Sequence, residues 1–279
     1  MSASSQLDSG DARRVVLDLP GQRIAALQSG DPDRPPVLLV PGYTGSKEDF
    51  GPILDAIGAA GFFVTAIDLP GQFESPGLPE PADYTPDRLA GAVRGVAARL
   101  GPRVRLLGHS FGGLVARAAV IAEPAAFESL VLLCSGPAEL GGVRRVTIEQ
   151  FEPVLATVGL PGLYAAIQAA MQEEPGFLAP PPEVEEFLER RFLRGAPAMM
   201  QGMADALRRE PDRVAELAET GVPVLVAHGV DDDAWPQVEQ KDMAARLGAR
   251  YEVIGDAAHS PAVENPGPTA AVLIDFWRA

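Results

Sequence analysis

A chain of 279 residues with 47 % apolar and 22 % charged side chains is long enough to bury a core without covalent staples. Its one cysteine, Cys134, excludes an internal disulfide and sits in an apolar run, where it reads as a buried small hydrophobe. A formal net charge of −15 repels phosphate backbones and anionic lipid surfaces, which argues against nucleic acid as a partner.

The first 12 residues read as a disordered tail. MSASSQLDSGDARR has no apolar stretch of the secretory type, and no charge-free apolar window of membrane-spanning length is expected, so the sequence predicts a cytoplasmic protein without a membrane partner. Two lysines, Lys47 and Lys241, stand against 21 arginines, a coding bias that hints at a bacterial source.

In chain order, Val15–Leu19 and Arg23–Gln28 flank Pro20-Gly21 and predict an antiparallel hairpin. Strands follow at Val37–Val40, Phe62–Ile67, Val104–Leu107, Leu130–Leu133, Val222–Ala227 and Tyr251–Ile254. Their short continuous apolar runs fit strands covered on both faces. Helices are predicted at Phe50–Ala60, Pro86–Leu100, Phe111–Ile121, Pro236–Leu247 and Pro266–Arg278, with Thr85 and Asn265 as N-caps ahead of first-turn prolines. This alternation predicts an α/β fold with a mostly parallel eight-stranded sheet flanked by helices.

One stretch, residues 137–219, carries no strand pattern. Helical patterns at Ile148–Val158, Leu163–Glu173, Val184–Leu193 and Ala198–Arg209 predict a helical cap inserted into a core of residues 13–136 and 220–279. The insertion is too long for an ordinary crossover and should lie over the strand ends where α/β sites are found.

Gly108-His109-Ser110-Phe111-Gly112 fits G-x-S-x-G, with VRLL before it and the helical FGGLVARAAVIA after it. That is the strand–turn–helix in which a sharp turn leaves no room for Cβ atoms beside the nucleophile and lifts a serine hydroxyl into a site. A serine hydroxyl needs a base to take its proton. Of three histidines, His109 adjoins the serine and reads as packing, and His228 ends a strand and reads as structural. Only His259, in GDAAHSPAVENP, lies far enough downstream for the order nucleophile, acid, histidine. The acid should follow the strand Val222–Ala227, in HGVDDDAWP. Asp232 is favoured and Asp231 stands second, while Asp233 with Pro236 would help start the next helix. Backbone N–H groups of Phe111 and of Tyr43, in PGYTGS, would hold the oxyanion. The three histidines lack ligand spacing and no cysteine cluster exists, so neither metal nor other cofactor is expected.

Residues 13 to 279 resemble the α/β-hydrolase superfamily, in its small-lid, esterase-like branch. VLLVPGYTGS, AIDLPGQFES, GHSFGG, HGVDDDAWP and GDAAHSPAVENP carry the likeness, in family order. Pro41-Gly42 stands where the family commonly shows His-Gly, and Gly71-Gln72-Phe73 where it often shows Gly-His-Gly. The resemblance implies a triad of Ser110, Asp232 and His259, with Tyr43 and Phe111 as the oxyanion hole. A serine at the elbow argues against the dehalogenase and epoxide hydrolase members, whose nucleophile is an aspartate.

The leading functional reading is a serine hydrolase cleaving a carboxylic ester, or a related acyl bond, of a small or medium apolar substrate. Met171, Met199, Met200, Met203, Phe151 and Tyr164 of the insertion are candidates to line its pocket, methionine suiting an adaptable wall. A cofactor-free perhydrolase, acyltransferase or lactonase would use the same triad, since fold and triad do not fix the substrate. A ligand-binding receptor with little or no turnover is the reading from another class, distinguished by a serine that no fluorophosphonate probe labels.

Overall fold

The computed structural model describes residues 6–173 and 177–279. One sheet holds β1 (Arg13–Leu19), β2 (Gln22–Ser29), β3 (Pro36–Val40), β4 (Phe63–Ile67), β5 (Val104–His109), β6 (Phe127–Leu133), β7 (Val224–Gly229) and β8 (Arg250–Ile254). Their spatial order is β1-β2-β4-β3-β5-β6-β7-β8. The β1–β2 hairpin and the β2–β4 pair are antiparallel, and the remaining pairs are parallel. Every residue of β4 and of β7 is buried, which is why these runs are apolar without alternation.

The helices are α1 (Gly51–Ala59), α2 (Pro86–Leu100), α3 (Phe111–Ala122), α4 (Gly142–Glu173), α5 (Pro182–Leu193), α6 (Pro197–Leu207), α7 (Val214–Glu219), α8 (Gln237–Leu247), α9 (Pro261–Glu264) and α10 (Pro266–Arg278). Leu39, Ile53, Ile57 and Trp277 belong to the core on the α1 and α10 side of the sheet. Leu38, Val93, Leu114 and Trp235 belong to the core on the opposite side, under α2, α3 and α8. The hydroxyl of Thr85 accepts the Arg88 N–H at 3.4 Å, the N-cap that its position before Pro86 predicts. Asn265 does not cap α10 with its side chain; its amide donates to the Gly255 carbonyl at 2.7 Å and ties the helix start to the loop after β8.

Residues 1–5 of the predicted tail lie outside the described residues. Within residues 6–12, Gln6 donates to Asp49 at 3.1 Å and the Asp11 N–H to Asp55 at 3.1 Å.

Between β6 and β7 stand α4, α5, α6 and α7, with no strand among the described residues of that stretch. Residues 153–172 contain no charged side chain. An 18-residue window of α4 has a mean hydropathy of 1.5, so one helix is long and apolar enough to cross a membrane by length and composition, contrary to the expectation. Gly159 breaks that helix with φ 67° and ψ −169°, the left-handed region glycine tolerates. Neither half reaches the roughly 20 residues a span needs. The two halves match the helices predicted at Ile148–Val158 and Leu163–Glu173, and they turn Phe151, Leu155, Leu163 and Ile167 toward a shared cavity.

Candidate active site

β5 ends at His109, and Ser110 takes φ 54° and ψ −121° before α3 begins at Phe111. A non-glycine residue with such a backbone is strained and persists only where its surroundings hold it. Here the Ser110 N–H donates to the Leu133 carbonyl at 2.9 Å and the Gly113 N–H to the Ser110 carbonyl at 2.8 Å. The flanking glycines are required by close approach. A Cβ at Gly108 would lie 2.2 Å from the Gly112 carbonyl oxygen, and one at Gly112 would lie 2.4 Å from those of Val40 and Pro41.

His259, on the loop between β8 and α9, reaches Ser110 across 149 residues of sequence. Its Nε2 lies 3.0 Å from Ser110 Oγ, and its Nδ1 lies 2.8 Å from Asp232 Oδ1. A carboxylate only accepts, so Nδ1 carries the hydrogen and Nε2 is left to accept from the serine hydroxyl. That is the tautomer a general base requires.

Asp232 sits in the turn after β7, buried, while Asp231 and Asp233 on either side are exposed. Asp233 pairs with Arg144 of α4 at 2.6 Å rather than starting α8. Asp232 Oδ1 also accepts the Ala234 N–H at 3.1 Å, and Oδ2 accepts Gln240 Nε2 at 2.8 Å. Burial alone would raise this carboxyl, but the hydrogen bonds and charge of His259, with the Ala234 and Gln240 bonds, hold it below the usual carboxylate range. It is ionised at neutral pH.

Gln240, fully buried on α8, was not singled out in the sequence; it anchors the second oxygen of Asp232 and also donates to the Trp235 carbonyl at 3.1 Å. His109 is more than packing. Its Nε2 lies 2.6 Å from the His259 carbonyl, so this nitrogen donates and fixes the backbone of the loop. Burial, with the neighbouring His259 charge second, pushes His109 down to about 4.

In the unfolded chain a histidine titrates at about 6.5. Between that value and about 4 the unfolded chain holds a proton that the native state refuses, so stability falls as pH falls through this window. Replacing His109 by glutamine, which keeps a donor, is expected to remove about 3 kcal/mol of that pH dependence. Urea unfolding of both proteins across the window measures the difference.

His228 is structural as expected: Nδ1 donates to the Gly229 carbonyl at 2.7 Å and Nε2 accepts from Tyr251 at 2.7 Å. Two sets of possible ligand atoms among the described residues, His109 with Cys134 and His259, and Asp232 with Asp233 and His259, fall within 4.8 Å. Neither suits a metal. His259 uses both ring nitrogens, His109 Nε2 is committed to a carbonyl, and burial pushes the Cys134 thiol well up, away from the thiolate that ligates.

Among the described residues, neither the Tyr43 N–H nor the Phe111 N–H hydrogen-bonds to another group of the protein. Phe111 is the first residue of α3, whose N-terminal dipole favours negative charge. Gly42 lies against Ser110, since a Cβ there would sit 3.1 Å from Ser110 Cβ.

Above Ser110 opens a cavity of about 820 Å³. Phe151, Met171 and Met200 line it, together with Ile148, Leu155 and Phe192. Met199, Met203 and Tyr164 do not. Met199 and Met203 are buried in the packing of α6, and the Tyr164 ring lies against Phe192 at 5.3 Å. A helix puts consecutive methionines on different faces, so Met200 turns to the cavity and Met199 to the Gly71 turn. The rim is polar, with Arg191 of α5 paired to Asp49 at 2.5 Å and Arg144 to Asp233.

A model of the alpha/beta hydrolase family matches residues 37–272. The chain is 31 % identical to the pimeloyl-[acyl-carrier protein] methyl ester esterase of Methylococcus capsulatus, over 77 % of this chain and 84 % of that protein. It is 26 % identical to the enzyme of the same name from Neisseria meningitidis, over 86 % of this chain and 92 % of that protein. The enol-lactonase structure from Burkholderia xenovorans superposes with a TM-score of 0.79 at 21 % identity, covering 95 % of this chain and all of that one. The chain belongs to the alpha/beta hydrolase family. It is a hydrolase of the esterase-like kind.

Proposed function

We propose that the protein hydrolyses carboxylic esters of small or medium apolar acyl groups through an acyl-enzyme on Ser110. The observation that carries this is the chain of short contacts from Ser110 Oγ to His259 Nε2, 3.0 Å, and from His259 Nδ1 to Asp232 Oδ1, 2.8 Å. In this reading His259 takes the serine proton as Oγ attacks the ester carbonyl, and the N–H groups of Tyr43 and Phe111 receive the oxyanion. His259 then gives the proton to the departing alkoxide. Water, activated by the same ring, attacks the acyl-enzyme and releases the acid. Asp232, ionised and immobile, stabilises the imidazolium in both halves.

Residues 137–219 act as a cap on a core of residues 13–136 and 220–279, its α4 and α6 supplying the apolar wall and Arg144 and Arg191 joining it to the core. The bacterial relatives and the lone buried Cys134 support a bacterial, cytoplasmic setting.

The apolar wall favours an acyl chain over a charged one, because an unpaired charge placed there loses its hydration. Hydrolysis of p-nitrophenyl esters is therefore expected to gain in kcat/KM from acetate to hexanoate by up to about 10²-fold, each of the four added methylenes contributing about 0.8 kcal/mol when fully buried. A succinate half-ester of similar length should lag behind. A flat or inverted chain-length profile would remove the apolar-acyl assignment, and a protein that binds but never turns over would favour the receptor reading.

A further inference from the structure

Gln72 departs from the family pattern and is buried, 1 % exposed, in the turn after β4. Its side-chain Oε1 accepts the Leu69 N–H at 2.8 Å, and its Nε2 donates to the Gly42 carbonyl at 2.6 Å and to the Tyr43 carbonyl at 3.3 Å. One primary amide thus joins the loop after β4 to the loop after β3. Asp68 makes a parallel tie, its Oδ1 accepting the Lys47 N–H at 2.8 Å and its Oδ2 the Lys47 ammonium at 2.8 Å.

The carbonyl of Gly42 and the N–H of Tyr43 belong to one peptide unit. That unit is planar and trans, so its oxygen and its hydrogen point in opposite directions. A donor that pins the oxygen on the Gln72 side therefore turns the N–H to the other side. The same peptide unit lies close to Ser110, since a Cβ at Gly42 would sit 3.1 Å from Ser110 Cβ.

We infer that Gln72 is a positioning residue of the oxyanion hole: by holding the Gly42 carbonyl it aims the Tyr43 N–H at the oxygen that becomes negative in the reaction. The inference rests on the catalytic reading above. A primary amide offers one acceptor and one donor to the two loops, and a neutral imidazole offers the same pair.

The test compares Gln72→Met, which keeps the bulk and removes both polar groups, with Gln72→His, which restores an acceptor and a donor. Losing an oxyanion donor outright costs about 10²–10³ in rate, so a loosened one should cost about 10–10². Gln72→Met is expected to lose that factor in kcat with KM nearly unchanged. Its inhibition constant for a trifluoromethyl ketone, whose adduct with Ser110 places an oxyanion in the hole, should rise in proportion. Gln72→His should recover most of the loss.

Unchanged kcat in Gln72→Met would overturn the assignment, as would a loss that appears equally in KM and is not rescued by histidine. Should the methionine variant fail to fold, Gln72→Leu decides in the same way, since it too leaves the Gly42 carbonyl without its donor and adds no bulk. Labelling of wild-type Ser110 by a fluorophosphonate separates the two levels. Labelling with an insensitive Gln72→Met overturns only the role of Gln72, and no labelling overturns the catalytic reading and this inference together.

Discussion

Ser110→Ala is expected to lower kcat for a short-chain p-nitrophenyl ester by about 10⁶ while leaving KM and the unfolding midpoint close to wild type. The expected loss is large because, on the proposed mechanism, the serine oxygen forms the covalent bond, and the hydroxyl that lies 3.0 Å from His259 Nε2 is that of Ser110. The fold should survive. The elbow is held by backbone bonds from Ser110 to Leu133 and from Gly113 to Ser110, none of which uses the side chain. A residual acceleration over water would remain from the oxyanion donors and the cavity. Steady-state kinetics and thermal melts on the same preparation check both halves. Activity within tenfold of wild type would place the nucleophile elsewhere.

The second large effect is expected at Asp232. Its carboxylate faces three donors, from His259, Ala234 and Gln240. An asparagine offers one oxygen and one NH₂ group, so whichever way it sits a donor meets a donor. Where the NH₂ faces His259, the ring must move its hydrogen to Nε2, the nitrogen that faces the Ser110 hydroxyl and, on the proposed mechanism, takes its proton. The charge that stabilises the imidazolium is gone as well. Together these should cost about 10⁴ in kcat. Asp231→Asn should leave kcat nearly unchanged, because that side chain is exposed and only its N–H, bonded to the Ala257 carbonyl at 3.0 Å, is engaged. Equal small losses in both variants would reject either residue as the acid.

The parts of this site that sterics and chain order dictate were legible in the sequence. Ser110 was legible because glycines at 108 and 112 are demanded by carbonyl oxygens little more than 2 Å from where a Cβ would stand. His259 was legible by elimination among three histidines. The sheet was legible because strands buried on both faces leave unbroken apolar runs, and the ends of β3, β5 and β7 moved by at most two residues. The choice between Asp231 and Asp232 was not legible from composition, since a tight turn buries one carboxylate and exposes its neighbours through backbone geometry alone.

Supporting residues were harder to see. Gln240 and His109 act through single hydrogen bonds to partners far along the chain, and polar residues on helices and strand ends carry no periodicity that marks such bonds. Gln72 left a trace, as a break in an otherwise familiar motif. The cavity wall was half legible: the helices of the insertion follow their apolar spacing, but which face meets the cavity depends on the break at Gly159 and on how α6 is rotated, so Met200 lines the space while Met199 and Met203 do not. Gly159 and Pro161 interrupt the charge-free stretch of residues 153–172, and the break at Gly159 divides it into two short helices.

On the proposed mechanism the imidazole of His259 makes the Ser110 hydroxyl reactive. The most direct measurement is the rate at which a fluorophosphonate adds to the peptide containing Ser110, followed by mass spectrometry in wild type and in His259→Ala. Rapid single-site labelling in wild type, slowed by about 10³ or more without His259, is the expected result. Labelling at another residue, or at the same rate in both proteins, would contradict it.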